Sequence, residues 1–118
     1  MQIFFRTKKT EINAHDQDYM ARRIEGMQKF FSPHAHAYVD LERTRASHRG
    51  HDLYYVAIKI EDGHYKYFAE EYQSDIRKSF DHAYGDIYRI IRNDRSKSRT
   101  MLKSAGRAFK KVFQKRRK

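Results

Sequence analysis

Apolar and polar residues alternate at the start of the chain, in QIFFRT from Gln2 to Thr7, which predicts a short β-strand leading into a basic turn at Lys8 and Lys9. The period then changes. Met20, Ile24, Met27 and Phe31 recur at i, i+4, i+7 and i+11, one apolar stripe of a helix, with Arg22, Arg23 and Lys29 outside it. Asn13 is the candidate N-cap, Asp16 stands where a capping-box acid belongs, and Ser32-Pro33 is expected to stop the helix.

Alternation returns three times, over Ala35 to Glu42, Leu53 to Ile60 and His64 to Glu70 or Glu71. Ala37, Val39 and Leu41 share a face of the first strand; Tyr54, Val56, Ile58 and Ile60 share a face of the second, with Lys59 opposite. Asp62-Gly63 between the last two is a pair favoured by type I′ hairpins, whereas Arg43 to Gly50 forms a longer polar connection. A second helix is expected to open at Ser74 as N-cap, with Asp75 in its first turn. Its buried stripe is Ile76, Phe80, Ala83 or Tyr84, Ile87 and Ile91, which leaves Arg77, Lys78, Arg89 and Arg92 more exposed.

The predicted order is β-α-β-β-β-α, and the physical solution is an α+β two-layer sandwich: a four-stranded sheet with two helices on one face. A β-α-β start demands a crossover, right-handed if the two strands are parallel neighbours. With 118 residues the chain has the length of one domain, and without cysteine it holds no disulfide framework, thiolate nucleophile or cysteine zinc site. The longest apolar run, Leu53 to Ile58, is far below the ~20 residues of a membrane span, and strand-like residues begin almost at Met1, so a cytoplasmic protein is expected.

Charge adds a second division. Residues 1–94 carry 15 basic and 15 acidic side chains, whereas residues 95–118 carry 11 basic ones and no acid, so the net +11 lies wholly in the tail. A block of like charge is neutralised by polyanions, either nucleic acid or an anionic membrane surface. The expected organisation is an α+β domain over 1–94 and a basic amphipathic tail over 95–118, with RSKSRT at 95–100 as the hinge-like stretch. Met101, Leu102, Ala105, Phe109, Val112 and Phe113 recur at helical spacing in the tail, among lysines and arginines whose repulsion opposes an isolated helix.

Catalytic signatures are absent: the sequence has no Gly-rich phosphate loop, G-x-S-x-G elbow or H-E-x-x-H motif. His34-x-His36 would place two imidazoles on one side of a strand, and His48-x-x-His51 lies in the polar connection, but a zinc site needs three or four convergent ligands. No enzyme activity, metal, cofactor or small-molecule substrate is expected. Tyr38, Tyr55, Tyr65 and Tyr67 fall in strands, where an uncovered sheet face can stack unpaired bases; a wet sheet face also suits tyrosine, and no RNP-type run is present. Basic residues on the helices carry the stronger signal, because ammonium and guanidinium groups neutralise phosphates and release their counterions.

Met1 to Phe31, above all EINAHDQDYMARRIEGMQKFF, resembles the first strand and helix of the ribosome hibernation promoting factors, also called ribosome-associated inhibitors or sigma-factor modulation proteins. Asp62-Gly63 falls where that family places its hairpin between strands three and four. Asp75-Ile76-Arg77-Lys78-Ser79-Phe80-Asp81 is similar to the family's D-(L/M)-Y-x-A-I-D opening of the second helix, and the resemblance spans about residues 1–95. It implies a non-enzymatic protein that binds the small ribosomal subunit between head and body, where messenger RNA and the tRNA anticodons lie. Translation is then blocked by occupancy and idle ribosomes are preserved.

The family's basic helix positions match at Arg23, Lys29 and Arg89; Gly26 and Asp86 stand where a basic residue is common, and Asn93 replaces another beside Arg92. Strand four is about two residues longer than the family pattern, no second, ribosome-pairing domain is seen, and the tail is basic where some short members have an acidic one. The candidate rRNA-binding residues are Lys8 and Lys9, then Arg22, Arg23, Lys29, Arg77, Lys78, Arg89 and Arg92 on the helices. Arg95, Lys97, Arg99, Lys103, Arg107, Lys110 and Lys111 extend them into the tail. The expected partner is the small subunit and its rRNA, with the free protein a monomer and no membrane involved. The alternative is a general RNA- or DNA-binding module relying on its tail; a membrane-surface protein anchored by the tail lacks the broad apolar face that insertion needs.

Overall fold

The computed structural model describes residues 1–44 and 53–105, with side chains placed as far as Arg95. Its elements are β1 (Gln2–Lys8), α1 (Ala14–Glu25), β2 (His36–Thr44), β3 (Leu53–Asp62), β4 (Tyr65–Gln73) and α2 (Ile76–Ala105), the order that periodicity predicts. The strands form one sheet in the order β1-β2-β3-β4, with β1 parallel to β2 and the remaining pairs antiparallel. The β1–β2 pair meets the parallel condition that requires a crossover, and α1 supplies it.

Register lines up the inward side chains in rows. Ile3, Ala37, Ile60 and Tyr67 form one row, and Phe5, Val39, Ile58 and Ala69 the next. Onto these rows α1 sets Met20 and Ile24, and α2 sets Phe80, Ala83, Tyr84, Ile87 and Ile91, all in one buried cluster. Each large aliphatic side chain removed from water contributes about 1.5–3 kcal/mol, set against the entropy of ordering it. Tyr19 meets Phe80, Arg23 meets Tyr84 and Phe30 meets Tyr88, so the two helices run side by side in the same direction. The outer sheet face is uncovered among the described residues and carries Phe4, Phe68 and Tyr72 exposed.

Local chemistry moves several expected boundaries. Asn13 caps α1 as predicted, its side chain accepting from the Asp16 N–H at 2.7 Å, but the helix ends at Glu25 rather than at Ser32-Pro33. Gly26, the poorest helix former apart from proline, donates the last helical bonds from its N–H to the Arg22 and Arg23 carbonyls, and the chain tightens into a single 3-10 turn over Gln28–Phe30. That turn brings Phe30 into the core in place of Phe31, which stays half-buried against Tyr67. The β3–β4 hairpin turns on Gly63-His64, not Asp62-Gly63. Asp62 is still paired with Tyr65, its carboxylate accepts from the Ser32 N–H and hydroxyl at 2.7 Å each, and only Gly63 takes positive φ, at 62°. One left-handed residue at the first loop position is the type II′ pattern. Asp75, not Ser74, caps α2, accepting from the Lys78 N–H at 3.0 Å. The hinge-like 95–100 stretch continues α2, and residues 106–118 lie outside the described residues, as does His48-x-x-His51.

Ser79 is the one buried polar side chain of the core among the described residues, and its hydroxyl donates to the Tyr54 carbonyl at 2.5 Å, pinning the first turn of α2 to β3. Ser79→Ala keeps the volume but leaves that carbonyl without its donor, a loss of about 1 kcal/mol or a Tm drop of about 4 °C. Thermal denaturation monitored by circular dichroism checks this, and an unchanged Tm would contradict it.

Candidate nucleic-acid interface

The boundary between α1 and α2 is built of aromatic rings. Tyr19 meets Phe80 edge-on at 6.1 Å, Phe80 stacks near Tyr84 at 6.0 Å, Tyr84 contacts Tyr88 at 5.7 Å, and Tyr88 meets Phe30 at 5.9 Å. The Tyr19 hydroxyl donates to Asp81 at 2.7 Å, locking α1 to α2, and that hydrogen bond, with burial second, raises the tyrosine's pKa. Burial likewise raises that of Tyr84, opposed by the nearby Arg23 charge.

Cations lie along this seam. The Arg77 guanidinium sits 3.7 Å from the Tyr19 ring centroid, that of Arg23 lies 4.4 Å from Tyr84 and 6.0 Å from Tyr19, and the Lys29 ammonium lies 5.4 Å from Phe30. Three of the sequence candidates, Arg23, Lys29 and Arg77, therefore share one continuous surface. They differ in freedom. Arg77 is bridged to Asp16 at 3.4 Å, Arg22 to Asp18 at 2.9 Å and Arg89 to Asp86 at 3.0 Å, whereas Arg23, Lys29, Lys78 and Arg92 are exposed and make no ion pair among the described residues.

The remaining candidates lie elsewhere. Lys8 ends β1, with its side chain on the open sheet face by strand alternation, and Lys9 follows in a left-handed conformation at φ 59°. Arg95 is turned back into the domain: its guanidinium stacks 3.6 Å from the Tyr65 centroid, Nε donates to the Phe30 carbonyl at 3.1 Å, and Nη1 is buried without a partner among the described residues. Beside it, the Tyr67 hydroxyl donates to Asp94. Lys97, Arg99 and Lys103 fall on the continuing helix, and Arg107, Lys110 and Lys111 lie outside the described residues.

The open sheet face has a different chemistry. Phe4, Tyr38 and Phe68 fall in one cross-strand row, and Tyr55 and Tyr72 contact each other in another at 4.9 Å. Tyr65 and Tyr67, two of the four strand tyrosines considered for base stacking, face the core side instead. On the open face Arg6 forks onto Asp40 at 2.6 and 2.8 Å and Lys59 approaches Glu61 at 3.7 Å, which leaves Lys8 and Lys66 exposed and unpaired among the described residues, against four such cations on the helical side. The helical side thus presents more uncommitted positive charge. Sequence reading missed Tyr19, Tyr84 and Tyr88 as supports for it; the available signal was Tyr19 and Arg23 at i and i+4 on one helix face.

The family model described as sigma 54 modulation protein / S30EA ribosomal protein matches residues 3–99. The chain belongs to this family, as the resemblance of its first helix and of the Asp75 to Asp81 segment implies. Among solved structures, the N-terminal domain of Protein Y from Thermus thermophilus superposes with a TM-score of 0.64 at 16% identity, covering 79% of this chain and 98% of that one. A ribosomal subunit interface protein from Coxiella burnetii gives 0.65 at 9% identity, covering 81% and 99%. At these identities the likeness establishes the shared fold. No curated protein matches the sequence. Among the described residues no helix is long and apolar enough to cross a membrane, and no three metal-ligating side chains converge.

Away from the seam, Glu71 near the end of β4 meets Asp86 of α2. A hydrogen bond shared with Asp86 raises the Glu71 pKa, burial and the Asp86 charge act in the same direction, and Gln73 and His82 oppose them. The folded state then holds this proton more tightly than the unfolded chain does, so the pair loses stability as pH rises through the raised pKa and recovers it on acidification. Glu71→Gln is expected to melt about 1–2 °C above the wild type at pH 7, with the gap closing towards about pH 4. Thermal melts across that range check the sign, which a gap widening on acidification would reverse.

Proposed function

We propose that this protein binds the small ribosomal subunit through the α1–α2 seam and silences translation by occupying the channel used by messenger RNA and tRNA. The observation that carries this reading is the set of uncommitted cations, Arg23, Lys29, Lys78 and Arg92, on the helical side of a chain of this family. Phosphates are the complementary ligands, and exclusion of other occupants needs only a rigid body of the right size, with no bond made or broken. The Coxiella burnetii neighbour is described as a ribosomal subunit interface protein, which fits the same reading. The tail, with all of the net charge, adds affinity without setting the position, and its phosphate contacts relieve the repulsion that opposes its helix.

The competing reading is a general RNA- or DNA-binding module in which the tail supplies the affinity. Co-sedimentation with small subunits in the presence of excess duplex competitor separates them. Retention on the subunits supports docking, and stripping by the duplex supports the general binder.

Two outcomes are expected under docking. With about six or more phosphate contacts, affinity for small subunits falls about 10³-fold or more between 50 and 200 mM salt, measured by sedimentation; a nearly flat response removes the electrostatic account. Arg23→Glu with Lys29→Glu retains the wild-type circular dichroism spectrum, since both side chains are exposed, yet loses most inhibition of in vitro translation. Full inhibition by the folded double variant would place the contact elsewhere.

A further inference from the structure

We propose that Tyr84 is a positioning residue for RNA binding, its ring holding the Arg23 guanidinium in a fixed plane from which the N–H edge meets a phosphodiester. This rests on the nucleic-acid reading above and names the residue that gives one of its cations a defined geometry.

Arg23 combines two properties. It carries an exposed positive charge with no carboxylate partner among the described residues, and its guanidinium lies 4.4 Å from the centroid of a ring on the opposite helix. Among the described residues the other helical arginines have at most one of these. Arg77 lies on a ring but is bridged to Asp16, Arg22 and Arg89 are neutralised by Asp18 and Asp86, and Arg92 is exposed with no ring partner.

The support is rigid. Tyr84 is only 9% exposed and is held between Phe80 at 6.0 Å and Tyr88 at 5.7 Å, so its ring cannot follow a moving guanidinium. A guanidinium lying on a ring keeps its fork of donors free at the edge, which suits bidentate capture of a phosphate. An arginine free in solvent must lose its rotamer freedom on binding; one already laid on a ring has lost part of it on folding. The Tyr84 hydroxyl makes no hydrogen bond among the described residues, so the ring alone acts, and phenylalanine should replace it.

The test is a double-mutant cycle on the full chain, with affinity for isolated small subunits measured by sedimentation at fixed low salt. Tyr84→Leu is expected to weaken binding about 3–10-fold in the wild-type background and to have little further effect once Arg23→Ala is present, while Tyr84→Phe stays within about twofold of wild type. Equal losses from Tyr84→Leu in both backgrounds would overturn the proposal, because a ring that merely fills space acts regardless of Arg23. A Tyr84→Phe variant as impaired as Tyr84→Leu would overturn it too.

A measurement without RNA covers the case in which Tyr84→Leu unfolds the protein. In the free wild type the Arg23 side-chain protons should show upfield ring-current shifts in the NMR spectrum, retained in Tyr84→Phe; unshifted Arg23 protons in the wild type would overturn the stacking itself. Failure of the wild type to bind subunits defeats the function proposed above and this role with it, whereas binding without coupling defeats only the role of Tyr84.

Discussion

Two helices placed side by side on a four-stranded sheet leave a trough between them that neither can fill with aliphatic side chains alone. Here α1 has 12 residues, about 18 Å of helix, and buries Met20 and Ile24 on the sheet. The trough is closed by Phe80, Tyr84 and Tyr88 of α2 with Tyr19 and Phe30 from the α1 side. Rings suit this place because one face completes the core while an edge or outer face still reaches solvent. Everything on the helical surface depends on that closure, since the same rings that exclude water from the core are the ones on which Arg23, Arg77 and Lys29 lie. Stability and the cationic surface are therefore one structure.

The charge balance of the domain hides a division of labour. Arg6, Arg22, Arg77 and Arg89 are each matched to a carboxylate, and Arg95 to a backbone carbonyl and a ring. Exposed pairs of this kind are worth little to stability, about 0–1 kcal/mol. Their larger effect is to remove those cations from the pool available to an outside anion. Asp86 shows this most clearly: it ties Arg89 and crowds Glu71.

Element order, strand pairing faces and the Asn13 cap were legible in the sequence because each is set by local periodicity or by a side chain bonding to its own neighbourhood. Where local signals competed, the reading slipped. Gly26 ended α1 before Pro33 did, and the choice between Phe30 and Phe31 followed from the 3-10 turn that resulted. The Asp62 carboxylate, bonded to Ser32 thirty positions away, kept Asp62 in strand geometry and moved the hairpin onto Gly63-His64. Basic candidates were easy to list from the sequence. The local pairs Arg22–Asp18 and Arg89–Asp86 lie within one helix each, whereas the seating of Arg77 on Asp16 and Tyr19, and of Arg23 on Tyr84, is set by contacts between α1 and α2 that no single segment encodes.

Helix α2 does not stop at its last described side chain. Arg95, stacked on Tyr65 and bonded to Phe30, is anchored to the domain, and the helix continues to Ala105. At 1.5 Å per residue those ten further residues add about 15 Å of helix, nearly twice the ~8 Å over which physiological salt screens a charge. Charges separated by that length along the axis are screened from one another, so the two ends of this extension are electrostatically independent.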